Sequence, residues 1–212
     1  MPDDFDIKAK AYRVDGKLIS RTAVRAQIDV LLETVKGDAG KLAAKFDAGE
    51  ITAVEFELAM RGLLSSAHIV AASVGRGGRA LMTASDWGKV GSKIKWQYGY
   101  LAKFARKLAS GALKAANTAN RAKQYISAVY ISYADTTQKA MTEFVAGGGD
   151  ANPKGEMLCY LEQNSKEGCE ECTADAAAGP MPVSEMGDLG TRICGDFCLC
   201  TIIFSDEPEY KP

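Results

Sequence analysis

Apolar residues recur every three to four positions through the middle of the chain, a pattern that predicts a series of amphipathic helices. The first helix is predicted to begin at about Ser20, whose hydroxyl can cap the first turn. It is predicted to end at Gly37 or Gly40, because glycine commonly terminates helices. A shorter amphipathic turn over 41–47 follows it. The apolar positions of the first helix are Ile28, Leu31, Leu32 and Val35.

The second helix is predicted from a capping motif. Thr52 and Glu55 fit the Ser/Thr-x-x-Glu capping box, in which each side chain accepts a hydrogen bond from a backbone N–H at the helix start. The helix is expected to stop at Gly75, because the segment Gly-Arg-Gly-Gly-Arg over 75–79 is typical of a sharp turn or loop. Its apolar stripe consists of Phe56, Met60, Leu63, Leu64 and Ile69.

Two further long helices are predicted before the chain changes character. One begins near Ser85 and Asp86, continues for about six turns and is broken at Ser110 and Gly111. The other runs from about Ala119 to Phe144 as a single helix, and the Gly-Gly-Gly-Asp-Ala-Asn-Pro stretch after it is a stop and linker.

The two ends of the chain differ from this helical middle. The first 18 residues are predicted to be irregular or to form a short β arm with a Val-Asp-Gly turn, and Cys-Leu-Cys-Thr-Ile-Ile-Phe near the end has the β-branched content of a strand. The predicted fold class is therefore mainly α, a helical bundle with a small C-terminal cysteine-rich α+β appendage. The predicted divisions are an N-terminal arm at 1–19, a helical body at 20–147 and the appendage at 148–212.

Composition indicates the general class of protein and leaves the predicted division into arm, body and appendage unchanged. The chain has 212 residues, of which 47% are apolar and 25% charged, enough for the core of one ordinary domain. Its longest apolar run falls short of the 18 or so residues that span a membrane, so we expect no membrane contact. The first residues are acidic and polar, unlike an export signal, so we expect synthesis in a cytoplasm.

All six cysteines lie in the last quarter of the chain. A Cys-x-x-Cys pair, about twenty residues and then a second cysteine cluster is the spacing of a tetrahedral thiolate site for zinc. Four protein ligands leave no open position for water, so the zinc would be structural. Disulfides are the alternative, because six sulfurs do not divide into one four-ligand site. The candidate metal ligands are Cys169, Cys172, Cys194, Cys198 and Cys200, with Cys159 as a spare.

The charges are segregated along the chain. The segment 76–123 contains eleven Lys and Arg against one acid, Asp86, whereas the residues from Cys159 onward contain three bases and eleven acids. Such a basic segment can form a contiguous positive surface that faces DNA phosphates or an acidic neighbouring subunit. The alternative is that these bases form the solvated face of an amphipathic helix. The candidate contact residues are Arg76, Arg79, Lys89, Lys93, Lys103, Arg106 and Lys107.

No motif in the sequence indicates an enzyme. His68 is the only histidine, which argues against His–carboxylate catalysis and against a histidine-ligated catalytic zinc. The chain contains no Gly-x-Ser-x-Gly, His-Glu-x-x-His or phosphate-loop motif. A metal-dependent hydrolase is therefore the weakest of the functional hypotheses.

Several of these motifs together resemble those of tailed-phage minor head proteins, the Mu F-like head morphogenesis family. In the body they are Gly-Glu-Ile-Thr-Ala-Val-Glu-Phe-Glu-Leu-Ala-Met-Arg at 49–61, the glycine segment at 75–79 and Gln-Tyr-Gly-Tyr-Leu-x-x-Phe-Ala at 97–105. They are followed by Cys-x-x-Cys at 169–172, Gly-Pro-Met-Pro at 179–182 and a closing Cys-x-Cys at 198–200. This chain departs from the family in having Cys194 where a histidine is usual.

The resemblance implies a structural component of the virion, a minor head or head–tail junction protein that assists head assembly or DNA packaging and delivery. It implies assembly in multiple copies with the portal, capsid or neck proteins and no catalytic activity, while nonspecific DNA contact is the expectation from the basic segment. The implied location is the virion, after synthesis in the host cytoplasm. The alternative hypothesis from the residues alone is a small zinc-containing nucleic-acid-binding protein.

Overall fold

Helices form most of the computed structural model, which describes residues 4–6, 11–14, 17–19, 21–113, 117–146, 158–163, 169–187 and 200–205. The predicted mainly α fold class is confirmed. The helices of the body are α1 (Arg21–Asp47), α2 (Ala53–Arg76), α3 (Ala84–Ala109), α4 (Thr118–Ser127) and α5 (Tyr130–Ala146), with a short 3-10 helix at Arg79–Leu81.

Strands lie at both ends of the chain. The N-terminal strands β1 (Asp4–Asp6), β2 (Ala11–Val14) and β3 (Lys17–Ile19) form an antiparallel sheet, so a short β arm is present as predicted. The C-terminal strands β4 (Leu158–Glu162), β5 (Met181–Pro182) and β6 (Thr201–Phe204) form a second antiparallel sheet with β4 in the middle. Helix α6 (Glu170–Ala178) lies between β4 and β5 in the chain.

The first helix is longer than the sequence predicts, because α1 continues through Gly37 and Gly40 to Asp47. Packing explains why Gly40 does not end the helix. A Cβ placed at Gly40 would lie 3.3 Å from the Cε atom of Lys123 on α4, and Ala43 beside it is fully buried. Small residues therefore let α1 and α4 pack closely, and this contact outweighs the ~1 kcal/mol by which glycine disfavours a helix.

Helix α2 is the central helix of the body and packs against α1, α3 and α5. Its predicted capping box is confirmed, since the Glu55 backbone N–H donates to Thr52 Oγ1 and the Thr52 N–H donates to the Glu55 carboxylate. By length and composition alone α2 could cross a membrane, but 44% of its apolar window is buried inside the protein. Core helices of bundles pass the same test of length and composition, so this helix by itself establishes no location.

The glycine segment after α2 is only partly a turn. Gly75 and Arg76 belong to the helix, contrary to the prediction that it stops at Gly75. The turn is made by Gly77 and Gly78, whose φ angles are +94° and +128°. Only glycine adopts these conformations without strain, so the chain reverses at this pair and continues into the 3-10 helix.

Helix α3 begins at Ala84, within two residues of the predicted start. Thr83 is its N-cap, and Asp86 completes a second capping box by accepting from the Thr83 backbone N–H at 2.8 Å. The predicted break is confirmed, because Ser110 is the C-cap and Gly111 has a φ of +68°.

The predicted single helix over 119–144 is wrong, because it consists of α4 and α5 with a break at Ala128 and Val129. The Val129 N–H donates to the Ile126 carbonyl three residues back, and the Ser132 N–H donates to the Val129 carbonyl. Both residues at the break are buried. The two helices serve different neighbours, since α4 packs on α1 whereas α5 packs on α2 and β6, and the break redirects the chain between them.

Two apolar clusters stabilise the structure. The larger one joins α1, α2, α3 and α4 around residues such as Phe56, Phe104 and Ile126. The smaller one joins α5, through Ile131 and Met141, to the C-terminal sheet and α6. The C-terminal segment is therefore held by apolar packing as well as by any crosslink between its cysteines. It shares a core with the body.

Candidate functional site

The cysteines of the C-terminal segment lie within the smaller apolar cluster. Cys169 is the N-cap of α6, where its Sγ accepts a hydrogen bond from the Cys172 backbone N–H at 3.5 Å. Cys172 is completely buried, and Cys200, which directly precedes β6, is 4% exposed. Cys159 is fully buried on β4, opposite Met181 and Phe204. The side chain of this predicted spare cysteine is therefore part of the core.

Strand register brings Cys200 toward the start of α6. Glu162 pairs with Thr201, so Cys200 lies beside the end of β4 at Gln163. Gln163 Nε2 donates to Thr173 Oγ1 at 2.9 Å, which ties the same end of β4 to the first turn of α6. Three of the predicted ligands are thus held on elements that meet at one end of the sheet.

These three cysteines do not make a complete metal site. Within the described parts of the chain, no three His, Cys, Asp or Glu side chains are grouped as metal ligands would be. The other two predicted ligands, Cys194 and Cys198, lie outside the described residues. A four-ligand zinc site would need at least one of them in addition to Cys169, Cys172 and Cys200.

His68 is a core residue of α2. It is completely buried, and its Nδ1 lies 2.7 Å from Ser132 Oγ on α5. Burial lowers the pKa of His68 to about 4; the neighbouring Gln97 side chain opposes this shift, and the nearby charge of Lys93 adds to it. The imidazole is therefore neutral at pH 7 and has no access to a substrate.

Two of the predicted contact residues, Arg76 and Lys93, have their charges paired with carboxylates inside the body. Arg76 is 8% exposed; it donates to the Leu81 carbonyl and pairs with Asp86 at 3.3 Å and with Glu143. Lys93 is 14% exposed and pairs with Asp135 on α5. Buried cations require such carboxylate partners, and the partnered groups are not available to phosphate.

Arg79 and Lys89 lie on the surface near the start of α3. The Arg79 guanidinium lies over the Trp87 ring, 5.4 Å from its centroid, and Lys89 is exposed. Helical rise puts Lys89 about 21 Å along α3 from Lys103. Arg79 and Lys89 therefore lie apart from the cations at the far end of the helix, with Lys95 exposed between the two groups.

The cations at the far end of α3 line a groove of about 460 Å³ between α3 and α4. Lys103, Arg106 and Lys107 contribute from α3, and Arg121 contributes from α4. None of the described residues that line the groove is acidic. The rest of the lining is Tyr100, Phe104, Leu113 and Tyr125.

Arg121 was counted in the basic segment but was not predicted as a contact residue. It lies against Tyr125, whose burial raises the pKa of its phenol while the charge and hydrogen bond of Arg121 lower it. The Tyr125 ring in turn packs on Phe104 at a centroid distance of 6.0 Å. Arg121 approaches the three cations because the Tyr125 end of α4 meets the Phe104 end of α3, and no spacing within one helix reveals this contact.

Comparison with known proteins identifies no relative: no family model, no curated protein and no solved structure matches this chain.

Proposed function

We propose that this chain is a structural component of a tailed-phage particle, in the minor head or at the head–tail junction, that assists head assembly or DNA packaging and delivery. The observation that supports this role best is the core shared by α5, through Ile131 and Met141, and the cysteine segment, through Cys159 and Cys172. That core packs the cysteine segment directly against the helical body. Such a junction suits a part that is held between neighbouring subunits.

The resemblance of the motifs to the Mu F-like family supports the same proposal. The segment 49–61, which carries part of the resemblance, forms the capped start of α2, and Phe56 and Met60 within it are fully buried. The Cys-x-x-Cys motif forms the first turn of α6. The proposed partners are portal, capsid or neck proteins in a multicopy assembly.

We propose a structural zinc ion for the cysteine segment, with disulfides as the alternative. Cys169, Cys172 and Cys194 would be its ligands, together with Cys198 or Cys200. Such an ion would hold the start of α6 against the end of β4, the same junction that the Gln163–Thr173 hydrogen bond already supports. No catalytic role is proposed for it.

The α3–α4 groove favours a second candidate, the small nucleic-acid-binding protein. Four cations without a described acid beside them form a site for phosphate. The two candidates are compatible, because a head protein can also bind nucleic acid. If the chain is a head protein, the groove also suits a second kind of partner, an acidic patch on a neighbouring subunit.

Purified particles test the proposal. We expect the protein in a fixed copy number per particle by quantitative mass spectrometry, and heads that are unfilled, unstable or poor at DNA delivery when it is deleted. Restoring the wild-type chain from a plasmid should rescue the defect. Absence from mature particles, with normal heads after deletion, would refute the structural role.

A further inference from the structure

We propose that the α3–α4 groove binds single-stranded nucleic acid, with its cations on the phosphates and the exposed rings of Trp96 and Tyr100 stacked on unpaired bases. The inference extends the proposed function by naming the anionic partner of the groove. It rests only on the proposal that the groove binds nucleic acid. It holds whether or not the chain is found in a particle.

The cations of the groove are not fully explained by helix stability. Arg106 and Lys107 lie in the last turn of α3, where positive charge stabilises a helix by interacting with the exposed carbonyls. Arg121 lies near the N-terminus of α4, one turn after its start, where the positive end of the helix dipole disfavours a cation. Its placement beside the α3 cations concentrates positive charge at the cost of local helix energetics, as an anion site requires.

The aromatic residues continue the groove along α3. Trp96 is 53% exposed and Tyr100 is 38% exposed, and their rings meet edge to face at 5.2 Å. Lys103 lies over the Tyr100 ring, 5.5 Å from its centroid. Trp96, Tyr100, Lys103 and Lys107 are spaced by four, three and four residues, so they form one stripe on the helix surface. Along about 16 Å of the helix, the two aromatic residues of this stripe are followed by its two basic residues.

This combination selects among anionic partners. Duplex DNA offers phosphates, but its bases are stacked on each other and do not present faces to an aromatic ring. An acidic protein surface would pair with Lys103 and Arg121 but would leave the exposed rings unexplained. An unpaired strand uses both halves of the stripe, since its phosphates follow a positive groove while its bases stack on aromatic side chains.

The test uses the full chain with a fluorescently labelled 20-nucleotide oligo-dT and a mixed-sequence duplex of equal length. We expect anisotropy to show tighter binding of the single strand, with affinity falling linearly on a log–log plot against NaCl concentration. Trp96→Ala should weaken single-strand binding by about 5- to 100-fold with an unchanged salt slope, because it removes stacking and no charge.

The charge variants should behave differently from the aromatic variant. Arg121→Gln should reduce the salt slope by about 0.7, the loss of one phosphate contact on a single strand. Lys89→Gln makes the same charge change outside the groove and should leave both affinity and slope unchanged. Circular dichroism would establish that each variant keeps its helices, which is expected because Trp96 and Lys89 are exposed and Arg121 lies at the surface of the groove.

Three results would overturn the inference. They are absence of binding to either oligonucleotide at low salt, equal binding of duplex and single strand with no effect of Trp96→Ala, and an equal loss of affinity in Lys89→Gln and Arg121→Gln. Failure here with the protein present in particles would refute the nucleic-acid site alone. Binding here with the protein absent from particles would refute the virion role alone.

Discussion

A Cβ atom at Gly75 would lie 2.3 Å from the backbone oxygen of Tyr133, closer than two such atoms can approach. The same Cβ would lie 2.3 Å from Thr136 Oγ1. Gly75 therefore marks the point where α2 and α5 pack backbone against backbone. A side chain at this position would force the two helices apart, and with them the core that α5 shares with the C-terminal sheet.

Gly75→Ala should destabilise the protein by about 1–3 kcal/mol or more, because a backbone atom cannot rotate away as a flexible side chain can. Urea unfolding followed by circular dichroism measures the change. Gly62→Ala is the matched control in the same helix, since no atom lies within 4 Å of its Cβ position. It should be neutral or stabilising by up to about 1 kcal/mol, because alanine favours a helix over glycine. Similar losses in the two variants would contradict this account of the contact.

His68 should make the protein less stable as the pH falls from about 6.5 to 4. Burial holds the folded-state pKa at about 4, below the ordinary value of 6.5, so the unfolded chain takes up the proton first. Stability from the neutral imidazole is thus fully present above pH 6.5 and is lost progressively down to pH 4, by up to about 3 kcal/mol.

The variant His68→Asn tests this dependence, because its amide can replace the Nδ1 contact with Ser132 without titrating. We expect its stability to change less than that of the wild type between pH 6.5 and 4.5 in parallel urea titrations. NMR can follow the ring directly, since His68 is the only histidine of the chain. An imidazole that titrates near 6.5 in the folded protein would refute the prediction.

Asp86 should be the most important acid of the helical body. It is 1% exposed, pairs with Arg76 and with Lys139 at 2.6 Å, and also caps α3 through Thr83. Burial raises its pKa, but hydrogen bonds from Lys139 and Thr83 and the charge of Arg76 outweigh burial and leave the pKa below 3.8. Asp86→Asn should cost about 3 kcal/mol, because it leaves a buried cation with weaker compensation.

Glu143→Gln is the matched control for Asp86→Asn. Glu143 also pairs with Arg76, but its side chain is 49% exposed, so water already screens the interaction. The expected loss is below about 1 kcal/mol. Thermal unfolding of both variants at pH 7 provides the comparison, and a Glu143 variant as damaged as the Asp86 variant would show that burial does not set the ranking.

Cys172→Ser should unfold the C-terminal segment and leave the long helices formed. The thiol is completely buried in the smaller apolar cluster, where a hydroxyl would be poorly accommodated, and a zinc ligand would be lost as well. Limited proteolysis should then remove the region after α5, while circular dichroism retains most of the helical signal. Loss of most of the helix would show that the segment and the body fold as one unit.

Metal analysis of the unmodified chain distinguishes zinc from disulfides as the crosslink of the C-terminal segment. Zinc binding predicts about one ion per chain by mass spectrometry of the metal and its loss in Cys172→Ser. Disulfides predict no zinc and a reduced count of reactive thiols under denaturing conditions. A metal-free chain with all six cysteines reactive would refute both crosslinks.

Local signals explain the parts of the fold that were predicted correctly. Thr52 and Glu55 satisfy backbone donors three residues apart, so their capping box needs no distant partner. Gly111, with its positive φ, ends α3 for an equally local reason. The β-branched residues of β6 likewise favour an extended backbone on their own. The groove between α3 and α4 was predictable only in part. The composition of the segment 76–123 indicates an excess of cations but not which of them lie together on the surface.

Tertiary structure determined the features that were not predicted, because each depends on contacts between segments that are distant in sequence. Gly40 lies inside α1 because α4 packs closely against it, and the chain breaks at Val129 because α4 and α5 have different neighbours. Arg76 is neutralised by carboxylates that are far away in sequence or beyond a turn, whereas Arg121 approaches the α3 cations because one end of α4 meets one end of α3. The sequence alone determined the helical class, the caps and the segregation of charge, since these depend on neighbours within a turn or two. Which charges are buried and which line the groove depends on packing between helices, which no local pattern records.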